Sequence, residues 1–259
     1  ALNRILVRDP DAASIHNRRG LALERMQAYG EAEAAFRRAL ALDRRNVDAW
    51  INLGRRRMEA GEMREGLEAF DEALDLAPAD PDAWLGRGLC ARWLGSLQLA
   101  EQCFARVAEL APNDAEPLLA LGDLARDAGR IEEAVARYRE ALDREASDAA
   151  SWSKLGNALF GSGDLPGAEA AFRQALLRDP SLAAAHNGLG AALMALGRAQ
   201  DAELALLRAA ELDALDPNPL LNLGLLRFRR GEVEAAREAF AQALLRDPSS
   251  TLARRHVEG

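Results

Sequence analysis

Seven glycines, Gly20, Gly54, Gly88, Gly122, Gly156, Gly190 and Gly224, follow one another at intervals of 34 residues. No insertion disturbs the spacing, so every structural unit has the same length and meets its neighbours in the same way. A fixed period of this size marks a solenoid, in which each unit buries its apolar face against the next. With the glycine as position 8, the complete units are 13–46, 47–80, 81–114, 115–148, 149–182, 183–216 and 217–250. Leu2, Ile5 and Pro10 take positions 24, 27 and 32 of an earlier unit, so residues 1–12 read as the end of a partial repeat with more protein before Ala1. Residues 251–259 read as a capping helix or the start of a further unit, with Arg254 at position 4 and Glu258 at position 8.

Helix is the element that the unit repeats. Only 5% of the chain is aromatic and Ala and Leu dominate, a mixture that favours helix over sheet. Position 20 is Ala32, Gly66, Ala100, Ala134, Ala168, Ala202 and Ala236. Position 24 is Phe36, Phe70, Phe104, Tyr138, Phe172, Leu206 and Phe240, and position 27 is Ala or Val throughout. That spacing puts all three on one helix face. The glycine at position 8 is expected opposite the small residue at position 20, where two helices approach closely. Gly61, Gly95, Gly129, Gly163, Gly197 and Gly231 at position 15 predict left-handed helix caps, with Gln27 the exception. Pro10, Pro78, Pro112, Pro180 and Pro248 are expected to stop second helices.

The run Trp50, Leu53-Gly54, Gly61, Phe70, Ala73 and Pro78 resembles the tetratricopeptide repeat signature, and the likeness extends over 13–250. Departures are local: Arg19 and Arg87 replace Leu at position 7, and Ala146 and Ala214 replace the terminal Pro. The resemblance implies an all-α, right-handed superhelical solenoid of antiparallel helix pairs. It also implies a scaffold or adaptor that holds a partner polypeptide in a concave groove lined by the first helices. The alternative reading is the substrate-recruiting segment of a larger glycosyltransferase- or sulfotransferase-type enzyme whose catalytic domain lies outside this chain.

Carried onto this sequence, the family's groove positions give two linings. Arg55, Arg92 and Arg126 form an expected row of cations, suited to carboxylates of a bound peptide, beside Glu59, Asp123 and Asp127 that could pair with them instead. Asn52 lies in the same stretch. Later repeats present Lys154, Asn157, Phe160, Asn187, Met194, Asn222 and Phe228, with Gly188 leaving space; Asn suits a peptide backbone, and Phe and Met suit apolar contact. Position 5 carries no Lys, which argues against the family's carboxylate-clamp mode, and position 6 carries no continuous Asn ladder. On the opposite, convex face, Leu177, Leu204, Leu207 and Leu245 break an otherwise polar pattern and suggest a stripe for weak self-association or docking.

Catalysis finds no support in the sequence. His16 and His186 occupy position 4, where Trp50, Trp84 and Trp152 sit, and so read as packing residues; His256 stands alone near the end. No phosphate loop, zinc spacing or nucleophile elbow occurs, so no catalytic residue, cofactor or metal is expected. In the antiparallel pair, level residues are taken to sum to 28, which sets Cys90 and Cys103 five residues out of register and argues against a disulfide. A net charge of −8 argues against nucleic acid. No apolar run is long enough to span a membrane, and no signal peptide is visible, which favours a cytoplasmic protein. Lys154 is the only Lys among many Arg, a bias that points to a bacterial source.

Overall fold

The computed structural model describes residues 10–144 and 148–258. Among these it contains fifteen helices and no strand. In order they are α1 (Pro10–Arg25), α2 (Tyr29–Leu42), α3 (Val47–Glu59), α4 (Met63–Leu76), α5 (Pro81–Trp93), α6 (Leu97–Leu110), α7 (Glu116–Asp127), α8 (Ile131–Asp143), α9 (Ala149–Ser162), α10 (Leu165–Arg178), α11 (Ala183–Ala195), α12 (Ala199–Leu212), α13 (Asn218–Arg229), α14 (Val233–Arg246) and α15 (Thr251–Glu258). They gather into two compact units, 1–124 and 125–259. Leu2 and Ile5 lie outside the described residues. Pro10 does not stop a second helix; it opens α1, where its missing N–H is tolerated.

Within each unit an odd-numbered helix packs on the even-numbered helix that follows. Successive first helices also touch, α1 with α3 and α3 with α5 in one unit, α9 with α11 and α11 with α13 in the other. The first-helix face of each unit is therefore its tighter, inner side. Helix starts and stops are written locally. Asn46, Asp80 and Asp148 cap α3, α5 and α9 by accepting a backbone N–H three residues on. All six position-15 glycines have positive φ, and Gln27 adopts the same left-handed conformation at φ 60°.

The core is built around the position-24 side chain. Phe36, Phe70, Phe104, Tyr138, Phe172, Leu206 and Phe240 are all buried. The position-8 glycine makes room for this ring and, as Gly54 and Gly190 show, also stands against position 20 as expected. A Cβ on Gly156 would stand 2.7 Å from the Phe172 ring, and one on Gly224 2.6 Å from that of Phe240. The Ala202 carbonyl lies 3.3 Å from the Cβ site of Gly190, and a Cβ on Gly66 would stand 3.2 Å from the Gly54 carbonyl. A Cβ on Gly88 would stand 3.0 Å from Cys103 Cβ, so position 23 also borders position 8.

The two cysteines are free, as expected. Cys90 Sγ turns toward α4, 3.2 Å from where a Cβ on Gly66 would lie, while Cys103 Sγ accepts a hydrogen bond from Arg87 at 3.8 Å. Burial pushes the Cys90 thiol up to about 11, which makes it a poor nucleophile.

Candidate binding face on the first helices

The expected groove residues do not all reach solvent. Asn52 is buried, and its Nδ2 donates to Oδ1 of buried Asn17 at 3.0 Å. Asn222 makes the same bond to Asn187 at 2.9 Å. In both cases position 6 of one repeat bonds position 5 of the repeat before, so the amides tie adjacent first helices together. A diagonal pair of this kind leaves half of each amide for other contacts.

The cations are also partly engaged. Arg92 Nη1 lies 3.6 Å from Asp123 Oδ2, and Arg126 Nη2 lies 2.9 Å from Asp127 Oδ1. Glu59 pairs with Arg56 at 2.6 Å and not with Arg55, which is exposed. Near them, burial and then the charge of Glu59 raise the Glu24 carboxyl above its ordinary value, against the opposing pull of Arg56 and Arg55.

Among the later residues, Asn157 and Phe160 are exposed and Lys154 is half-buried. Met194 is half-buried and packs against the core formed by α11 to α15. Gly188 opens no space in the groove, because a Cβ would collide with the Phe172 ring of the preceding repeat. Phe228 keeps 49% of its surface exposed but leans on His256 of α15, ring centroids 5.0 Å apart. His256 also stacks on Phe240 at 4.7 Å, so it is a packing residue of the last helix and not an isolated one.

Two features escaped the sequence reading. The first is a cavity of 410 Å³ lined by Met58, Met63, Leu89, Arg92 and Trp93. Trp93, at position 13, is 67% exposed. The signal was available: position 13 is Arg25, Glu59, Asp127, Gly161, Ala195 and Arg229 elsewhere, so a Trp there is unique within the chain. The second is an ion pair between repeats. Arg57 meets Glu33 at 2.7 Å and Arg227 meets Glu203 at 2.9 Å, position 11 reaching position 21 of the preceding repeat in both units.

Position 4 has a polar role as well as a packing one. Trp50 Nε1 donates to the Arg44 carbonyl and Trp84 Nε1 to that of Pro78, both at 2.9 Å. His186 Nε2 donates to Pro180 at 3.0 Å, and Arg254 to Pro248 at 2.7 Å. In each case the acceptor is the position-32 carbonyl, which helps close one repeat onto the next. The histidine thus replaces a tryptophan and has no catalytic partner in this bond. Among the described residues no group of three metal-ligating side chains comes together. No helix among the described residues is long and apolar enough to cross a membrane.

The sequence matches the tetratricopeptide repeat family over residues 13–46, 51–115, 119–168, 153–219 and 221–256. The chain belongs to the tetratricopeptide repeat family. No curated protein matches it in sequence. The fold is similar to that of a chain of the APC/C hetero-tetramer Cut9-Hcn1, with a TM-score of 0.73 and 19% identity, over 98% of this chain and 53% of that one. The chain therefore spans about half the length of that chain. A tetratricopeptide repeat protein of Parabacteroides merdae gives a TM-score of 0.73 at 15% identity, covering 95% of this chain and 97% of its own. YrrB, described as a TPR protein with an unusual peptide-binding site, gives 0.60 at 19% identity over 74% of this chain and all of its own. At these identities the likeness establishes the repeat architecture.

Proposed function

We propose that the chain holds a partner polypeptide against the inner face of its first helices, with Trp93 as the main anchor. One observation carries this reading: an exposed tryptophan overhangs an apolar cavity of 410 Å³ with a guanidinium at its edge. Tryptophan and arginine are the residues that most often dominate interface energies. Methionines beside them adapt to side chains of varied shape. A bulky apolar side chain of the partner enters between Met58, Met63 and Leu89, and a neighbouring carboxylate meets Arg92, already loosely paired with Asp123. Arg55 adds a second exposed cation, while Asn157 and Phe160 provide polar and apolar contacts in the other unit. The described peptide-binding site of YrrB supports a peptide as ligand in this architecture. Selection from a random-peptide library tests the reading. Enriched peptides should carry a bulky apolar residue near an acidic one, and should lose at least ~10-fold in affinity against Trp93→Ala. Absence of enrichment, or equal binding by the variant, overturns it.

A further inference from the structure

On the outer side Leu177, Leu204, Leu207 and Leu245 all reach solvent, with no polar group among them to select an occupant. The last junction of the second unit is more selective. Positions 12 and 17, which contribute Met58 and Met63 to the Trp93 cavity, are here Phe228 and Val233. They line a cavity of 260 Å³ among α13, α14 and α15, and keep 49% and 47% of their surfaces exposed. Three departures from the repeat pattern meet there. Arg237 stands at position 21, where Glu33, Glu169 and Glu203 each pair with an arginine of the following repeat. Arg255 falls at position 5 of the next period, where no earlier repeat carries a cation. His256 falls at position 6, where Gly86 and Gly188 leave the preceding ring its space, and it stacks on Phe240. All three line the cavity, and among the described residues no carboxylate does. Both guanidiniums are exposed and make no ion pair among the described residues, although Glu234 and Glu238 flank Arg237 on α14. The ring nitrogens of His256 likewise have no hydrogen-bond partner among the described residues.

We propose that this cavity binds a small aromatic carboxylate. Its ring lies against Phe228 and Val233, and its carboxylate takes the donors of Arg237 and Arg255, with His256 supplying another. Guanidinium forks match the two oxygens of a planar carboxylate. An aromatic ring gains more than an alkyl chain of like size from contact with the exposed Phe228 ring. The volume lies just below the usual ~300–1,000 Å³ of ligand pockets, which limits the occupant to a single ring with a short acid arm. The site belongs to the other unit from Trp93 and does not rest on the peptide reading.

Titration of the whole chain with phenylacetate, followed by NMR of the ligand, tests the assignment. Phenylacetate should saturate. 2-Phenylethanol keeps the ring without the charge, and acetate keeps the charge without the ring; each should bind at least ~10-fold more weakly. Arg237→Gln with Arg255→Gln should lower the affinity for phenylacetate ~10-fold or more and leave that for 2-phenylethanol unchanged. Both positions are exposed, so the thermal melt of this variant should match the wild type. His256→Phe keeps the stack on Phe240 but removes the ring nitrogens, and should weaken phenylacetate by a smaller factor. No saturation by the wild type, binding that the arginine variant retains in full, or acetate binding as tightly as phenylacetate overturns the proposal.

Discussion

The junction between repeats 2 and 3 and the junction between repeats 4 and 5 use the same five positions for different surfaces. In the first, Met58, Met63, Leu89, Arg92 and Trp93 line an apolar cavity with one cation. Moved on by two repeats, the set becomes Arg126, Ile131, Asn157, Phe160 and Gly161. Methionine has become the cation, leucine the amide, arginine the phenyl ring, and tryptophan has vanished. At the second junction Ile131 lies 3.7 Å from where a Cβ on Gly161 would stand, so the isoleucine approaches the place that the indole overhangs in the first. The backbone period is unchanged; chemistry is exchanged position by position. A solenoid thus varies its binding surface without altering its frame, because these positions lie outside the ring-and-glycine core.

The largest expected effect tests that frame at both junctions. Gly86 and Gly188, one in each unit, are overlapped by the Phe70 and Phe172 rings if given a side chain. Gly86→Leu and Gly188→Leu should each cost ~1–3 kcal/mol or more, read as a lowered urea midpoint. An unchanged midpoint in either would mean that its ring swings aside and that the two junctions are not built alike.

The next effect concerns affinity. Trp93→Gly should abolish binding of a peptide selected on the wild type. Adding Gly161→Trp alone should not restore it, because Arg126 and Asn157 stand where Met58 and Leu89 make the first site apolar. Restoration by that single change, measured by fluorescence anisotropy, would show that the indole suffices and the cavity does not matter.

Gln27 offers a smaller test. It holds φ 60° where six other repeats use glycine. Gln27→Gly should raise stability by about 0.5–1 kcal/mol, because the left-handed conformation is strained for a side-chain-bearing residue. A fall in the melting temperature would show that the Gln side chain compensates for its backbone.

The smallest effect is one of pH. The Glu24 carboxyl has a raised value in the folded chain, by burial first and by Glu59 second. Its charged form therefore weakens the fold, fully so above the raised value, and the penalty is relieved as pH falls through that value toward the unfolded one. Glu24→Gln should stabilise the protein at neutral pH, with a gain that shrinks on acidification. A gain that grows on acidification would reverse the assigned sign.

The groove was only partly legible for a related reason. Asn52, Asn187 and Asn222 carry the groups that bind a peptide backbone, but the offset between adjacent first helices brings two pairs of amides into contact. Gly188 occupies a groove position in the repeat numbering, yet the Phe172 ring claims the space beside it. Trp93 was visible as an irregularity of position 13 but lacked a reason to matter until Met58 and Met63 were seen beside it.

The 34-residue period determined the helix pairs, their caps and the buried rings by itself, because each of these depends on residues close in sequence or one repeat away. Which side of a helix stays open depends instead on the angle and offset between successive repeats. Those quantities follow from how Phe70 and Phe172 seat against glycines of two helices at once. No single unit encodes that fit, so only the tertiary structure decided that Trp93 overhangs a cavity and that the Asn pairs close on each other.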